Sequence, residues 1–284
     1  MSKWKYYNHA MVSTCAPHEI QDLTELNSGE FWKKPNAKPL FARWTDNFDC
    51  GYETDWWYVI KDEPFSLDLV KAKKRYVINK GNKNFYVKEI APKDYEEELY
   101  GVQVDAFSAY PKKYRPKAIR KEFTGLGELF ERDKSYKMFG AFLTETDELC
   151  GYAYTREQGR CIHLPVLKTK PQYEKLEVNA ALVFGILDLS SEKLENGSYI
   201  CDGARSINHE TAFQNYLEKY FGFRKAYCNL NIQYKPKIEW IIKLVYPFRK
   251  LLKKLDGISI IHMLNGVLKM EEIKRNCRKR KDKQ

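Results

Sequence analysis

The segment from Glu177 to Leu189 constrains the fold most, because Ala180, Ala181, Leu182, Val183, Phe184, Ile186 and Leu187 leave it apolar on most sides. A helix without a polar face cannot lie on a wet surface, so the pattern predicts a buried helix. Strand-like runs stand on either side, Cys161 to Leu167 before it and Ser198 to Cys201 after it. A helix over Glu210 to Tyr220, stopped by Gly222, and a strand over Ala226 to Tyr234 continue the alternation. Strands alternating with helices read as an α/β (α+β) domain.

The preceding chain extends this pattern. Ser66 is placed as an N-cap, with a helix running to about Lys80 and ending at Gly81. Phe85 to Ile90 follows as a strand, and Pro92 with Asp94 opens a helix through Leu99, Val102 and Phe107. Met138 to Leu143 and Leu149 to Arg156 form a hairpin. Leu40 to Trp44 and Trp56 to Lys61 make a small β segment, and the polar, turn-rich residues before it are expected to be a partly ordered arm. The expected domains are therefore 1–65, 66–234 and a tail, 235–284.

The formal charge of +11 resembles a nucleic-acid footprint until it is located. Residues 235–284 hold 15 Lys/Arg against 5 Asp/Glu, which leaves the preceding 234 residues at +1. A nearly neutral body excludes a broad duplex-binding face. The seven cysteines stand singly, without a Cys-x-x-Cys pair, which fits a reducing, cytoplasmic compartment. His9, His18, His163 and His262 have no partner at ligand spacing, so no metal site is expected. No apolar run reaches the length of a membrane span, and no secretory signal opens the chain.

Four constellations carry candidate chemistry. Asp202 to Glu210 places two carboxylates, a guanidinium, an amide and an imidazole between a strand and a helix start. Asp202 or His209 is suited to remove a proton from an incoming amine or hydroxyl, with Arg205, Asn208 and Glu210 as substrate contacts. The same residues also read as helix punctuation: Ser206 or Asn208 as N-cap, Glu210 against the helix dipole, Arg205 paired with Asp202. Trp56 and Trp57 point to opposite faces of one strand, so Trp57 is either a stacking platform or a second core ring. The loop from Phe107 to Pro116, with Tyr110 and Arg115, either closes over an anionic donor or is a Pro-stiffened connection.

The tail is the fourth. Ile238, Ile241, Ile242, Val245, Phe248, Leu252 and Leu255 share one helical face, lysines and Arg249 lie largely off it, and Pro247 is expected to kink the helix. Such a helix either lies on an anionic membrane surface or docks on the body.

The order of elements from Phe85 to Tyr234 resembles the GNAT acyltransferase fold, and more closely one half of the Fem-type (FemABX-like) aminoacyltransferases found in cell-surface glycan gene clusters. Three places carry the resemblance: Lys73 to Lys80 before a strand, the hairpin Met138 to Arg156, and Asp202-Gly203 followed by Lys219-Tyr220-Phe221-Gly222-Phe223. It implies a GNAT-like mixed central sheet flanked by helices, with an amphipathic helical tail beyond it. It also implies transfer of an acyl or aminoacyl group from acyl-CoA or aminoacyl-tRNA to an amino or hydroxyl group of a polysaccharide or peptidoglycan precursor. Arg75 and Tyr110 would support that site. The family's glycine-rich pyrophosphate turn is absent: Gln172-Tyr173-Glu174-Lys175-Leu176-Glu177 stands in its place. The competing expectation is a GNAT-shaped binding module without catalysis that works as a membrane-surface adaptor.

Overall fold

The computed structural model describes residues 3–33, 38–207 and 212–281. Its strands are β1 (Trp4–Tyr7), β2 (Ala10–Ser13), β3 (Phe41–Asp46), β4 (Trp56–Lys61), β5 (Phe85–Ile90), β6 (Tyr136–Leu143), β7 (Leu149–Gln158), β8 (Cys161–Thr169), β9 (Tyr199–Ala204) and β10 (Arg224–Tyr234). The helices are α1 (Thr24–Asn27), α2 (Ala72–Asn84), α3 (Glu96–Ser108), α4 (Lys121–Arg132), α5 (Val178–Leu189), α6 (Ser191–Glu195), α7 (Ala212–Phe221), α8 (Pro236–Val245), α9 (Arg249–Lys253) and α10 (Ser259–Lys281). The chain divides into two compact units, one of Met1–Val59, Ala204–Gln214 and Lys225–Gln284, the other of Ile60–Gly203 and Asn215–Arg224. These boundaries differ from the expected 65/66 and 234/235, because the N-terminal strands and the C-terminal helices share one core.

In the first unit the strands run β1-β2-β3-β10, antiparallel except for the parallel β2/β3 pair. The N-terminal residues are not a loose arm. Tyr7 pairs with Ala10 across Asn8 and His9, which both take positive φ, the two-residue hairpin turn whose twist matches the strands. Trp4, Met11, Leu26, Phe31 and Ala42 form a buried cluster. Phe41, Trp56, Leu230 and Ile232 build a second cluster, completed by Ile242 of α8 and by Leu268, Met270, Ile273 and Cys277 of α10. Much of the tail is therefore core. Pro247 breaks it as expected, with a 3-10 turn over Tyr246–Phe248 between α8 and α9.

In the second unit the strands run β9-β8-β7-β6-β5, antiparallel except for the parallel β8/β9 pair. Helix α5 lies across β5, β6 and β7 with Val178, Leu182, Val183, Ile186 and Leu187 buried. Burying each such side chain contributes about 1.5–3 kcal/mol, well above the roughly 0.5 kcal/mol by which Val or Ile disfavours a helix. Burial, not propensity, makes this segment helical. Helices α3 and α4 pack on the other face, where Leu99, Val102, Phe123 and Phe130 meet Met138, Phe142 and Tyr152.

Gly81 does not end α2, which continues to Asn84. A Cβ at position 81 would stand 2.7 Å from the Glu177 carbonyl oxygen and 2.9 Å from the Ala181 nitrogen. The glycine is there so that α2 can press against the first turn of α5.

Candidate functional site

The second unit contains a wedge between two parallel strands. Strand β8 pairs with β9 only at Cys161–Tyr199, Ile162–Ile200 and His163–Cys201, although it runs on to Thr169. Just past His163 the β7/β8 ladder is irregular: Arg156 faces His163 and Tyr154 faces Val166, so two steps on β7 span three on β8. Pro165, exposed, stands inside that bulge. A proline takes one N–H out of the strand, and bulge and proline together end the pairing with β9. Beyond His163 no pairing of β8 with β9 is present among the described residues, so the two strands part there.

The connection from β8 to α5 follows this unpaired stretch. It forms a 3-10 segment over Pro171–Leu176 and ends at Glu177 in the left-handed conformation, φ 67° and ψ 39°. The first turn of α5 has no side-chain cap. Side chains hold this turn. Lys170 Nζ donates to Glu148 Oε1 at 2.6 Å and Tyr173 Oη to Glu148 Oε2 at 2.5 Å, which keeps the Glu148 carboxyl below its ordinary pKa. Asn84 Nδ2 donates to the Leu176 carbonyl at 3.4 Å, and burial raises the Glu177 carboxyl against the opposing pull of Lys80.

At the closed end of the wedge the register gathers a group that sequence spacing hides. The ligand atoms of Cys161, His163 and Cys201 all lie within 4.8 Å of one another. Residues two apart on β8 share a face, and the His163–Cys201 pairing brings the third to it. Hydrogen bonding from Cys201, then His163, favours the Cys161 thiolate, while Cys201 is pushed up by the same bond and by burial. Two sulfurs and an imidazole are a soft donor set suited to Zn(II) or Cu(I). The expectation that His163 lacks a partner is corrected here: its partners are one strand away or two residues off. Cys-x-His followed by a lone Cys forty residues later is too weak a signal to read in one dimension.

The sequence candidates fall in several places. The Arg205 backbone N–H donates to the Trp57 carbonyl at 3.0 Å, its Nη1 donates to the Asp55 carbonyl at 2.9 Å, and its Cζ lies 4.3 Å from the Trp57 ring centroid. Lys225 Nζ is 4.6 Å from the same centroid. Trp57 therefore already stacks with two cations of its own chain. Arg75 donates to the Val70 and Asp68 carbonyls, closing the turn before α2. Arg115 donates to the Ser108 carbonyl at 2.6 Å and to the Tyr110 carbonyl at 3.2 Å, so the loop after α3 is tied to itself. Lys168 of β8 lies over Phe107, which puts that loop near the open end of the wedge. Asp202 sits one residue before Gly203, which takes a φ of +117° inside β9. Asn208, His209 and Glu210 lie outside the described residues.

The most specific sequence match proves to be structural. Phe221 and Phe223 are buried, Phe221 packs on Phe65 at 5.5 Å, and Gly222 between them takes φ +67°, a left-handed helix stop.

The solved structure of L-PGS from Bacillus licheniformis is similar over 85% of this chain and 83% of its own, with TM-score 0.50 and 11% identity. The C-terminal domain of a protein named as a lysylphosphatidylglycerol synthetase from Agrobacterium fabrum covers 84% of this chain and 82% of its own at TM-score 0.49 and 9% identity. PaiA N-acetyltransferase from Thermoplasma acidophilum, solved with coenzyme A, covers 38% of this chain and 73% of its own at TM-score 0.32 and 17% identity. The fold, a mixed sheet flanked by helices, is like that of L-PGS. No family model matches the sequence, and no curated protein matches it.

Proposed function

We propose that this protein transfers an acyl or aminoacyl group to an amino or hydroxyl acceptor, with the activated donor entering between β8 and β9. The parting of those strands after His163 carries the proposal. Backbone polar groups of β8 that no longer pair with β9 need partners in water or in a ligand. The acceptor nitrogen or oxygen attacks the donor carbonyl carbon, the bond from that carbon to sulfur or oxygen breaks, and the carrier leaves with a proton. N–H groups of β8 past the bulge are suited to the oxyanion that forms. Asp202, in β9, is the base we assign to the acceptor, and His209 the second candidate. Arg205, Asn208, Glu210, Arg75, Tyr110, Arg115 and Trp57 are proposed to bind or support substrate.

For the acceptor we propose a polysaccharide or peptidoglycan precursor, on the strength of the resemblance to Fem-type enzymes. Lys175 and Glu177, in place of glycines, favour a second reading, a GNAT-shaped binding module without a donor site.

The test is thermal stabilisation of the full chain by acetyl-CoA, a longer acyl-CoA and an aminoacyl-tRNA. A donor at a hundred times its Kd adds about 2.7 kcal/mol. Pro165→Val returns an N–H to β8 and lets the strands zip further. It is expected to abolish that gain without lowering the melting temperature of the free protein. If no donor stabilises the protein, the transferase reading fails and the binding module remains.

A further inference from the structure

Helix α8 carries two apolar stripes. Ile238, Ile242 and Val245 face the core of the first unit. Trp240, Ile241 and Leu244 occupy a separate stripe in the i, i+3, i+4 pattern, and they are 76%, 51% and 73% exposed. The stripe continues along the chain through Phe248, Leu251 and Leu255 and into the start of α10 with Ile260 and Met263, all exposed. The single face expected from the sequence is thus split, one half in the core and one half outside. A helix apolar on two sides needs two apolar neighbours, and the protein supplies one.

The outer stripe is set among cations. Lys237, Lys243, Lys250, Lys253 and Lys254 are exposed around it. Beside α9 a cavity of about 390 Å³ is lined by Arg249, Lys250, Lys253 and Lys269, with Asp256 and Glu272 as its acids. Both acids are engaged. Asp256 accepts from Asn265 at 2.7 Å and pairs with His262 at 2.9 Å, and Glu272 pairs with Arg249 and Lys269. Lys250 and Lys253 face the cavity with no salt bridge among the described residues, although the Lys253 charge acts on Asp256.

We infer that α8, α9 and the start of α10 dock on an anionic phospholipid surface, with Trp240, Leu244, Phe248 and Leu251 in the headgroup boundary and lipid phosphates against Lys250 and Lys253. An apolar strip with an interfacial tryptophan and a lysine border matches the two halves of such a surface, acyl chain and phosphate. A second copy of the chain fits worse, because a two-fold contact on this strip would bring the lysine borders together. Among the described residues no helix is long and apolar enough to cross a membrane, so the contact is with the surface. This inference is independent of the transfer chemistry.

The test is sedimentation of the full chain with neutral phosphatidylcholine vesicles and with vesicles containing about one-third phosphatidylglycerol. Binding is expected only to the anionic vesicles and should weaken with salt. Each lysine near such a surface contributes about fivefold, so Lys250→Glu with Lys253→Glu should lower binding at least about tenfold. Trp240→Ser with Leu244→Ser should do the same at unchanged melting temperature, since neither side chain reaches the core. Three results would overturn the inference: equal binding by both variants and wild type, release from vesicles by millimolar inorganic phosphate, or a dimeric wild type that ignores vesicles and becomes monomeric in Trp240→Ser. The first means the strip is not used, the second that the cavity takes free phosphate, and the third that the strip joins two copies.

Discussion

The Arg205 guanidinium lies over the Trp57 ring at 4.3 Å and donates to the carbonyl of Asp55, two residues before that tryptophan. The arginine and the strand are thereby locked together, so Arg205 has a structural task whatever it does for a substrate. A partly desolvated cation–π contact contributes about 0.5–2 kcal/mol and a charged hydrogen bond about 1.5–3 kcal/mol. Arg205→Ala is expected to lower stability by about 1–3 kcal/mol in urea denaturation, and Arg205→Lys, which keeps the charge but loses the planar fork, by less. An unchanged midpoint for Arg205→Ala would show that Lys225 holds the ring alone.

Gly81→Ala tests the contact between α2 and α5. The new methyl would stand 2.7 Å from the Glu177 carbonyl oxygen, and backbone atoms cannot step aside as a side-chain tip can. Overpacking of this kind costs about 1–3 kcal/mol, more than the roughly 1 kcal/mol that Ala gains over Gly in a helix. The expected outcome is a net loss in melting temperature together with weaker donor binding, because the strain falls on the turn beside the wedge. Unaltered donor binding in a destabilised variant would remove the turn from the site.

Glu148 gives a pH signature. Hydrogen bonds from Lys170 and Tyr173 and the Lys170 charge hold its folded-state pKa below the ordinary 4.5. A depressed carboxyl contributes stability above its unfolded pKa and loses it as pH falls through the folded value. Glu148→Gln should therefore melt below wild type at pH 7, and the gap should narrow below about pH 4, where the unfolded carboxyl takes up its proton. A gap constant from pH 7 to pH 3 would show that the charge is not what matters.

Glu271 ties the tail to the sheet. It is buried, accepts from Tyr234 Oη at 3.1 Å and from Arg275 Nε at 2.7 Å, and pairs with Lys274. Removing one partner of a buried charged set costs about 3–5 kcal/mol. Glu271→Ala is expected to destabilise by an amount of that order in chemical denaturation. Deleting residues 236–284 is consequently no clean test of membrane binding, since it would also remove Ile242, Leu268, Met270 and Ile273 from the core.

The local pattern of the chain was enough to determine most of the elements from Phe85 to Tyr234, though not α4 or α6, and the buried character of α5. Those depend on periodicity and on near-neighbour stops such as Gly222. The α/β class and the kink at Pro247 follow for the same reason. Tertiary structure alone decided what depends on partners far away in sequence. Gly81 is a stop signal by composition and a packing contact in space, because only α5 reveals why it lacks a side chain. The tail reads as one amphipathic face until the core claims Ile238 and Ile242 and leaves Ile241, Phe248 and Leu255 outside. Cys161, His163 and Cys201 converge through strand register, which no linear spacing encodes. Chemistry at the wedge likewise depends on where β8 stops pairing, and a proline within a strand becomes an opening only when the neighbour it fails to meet is known.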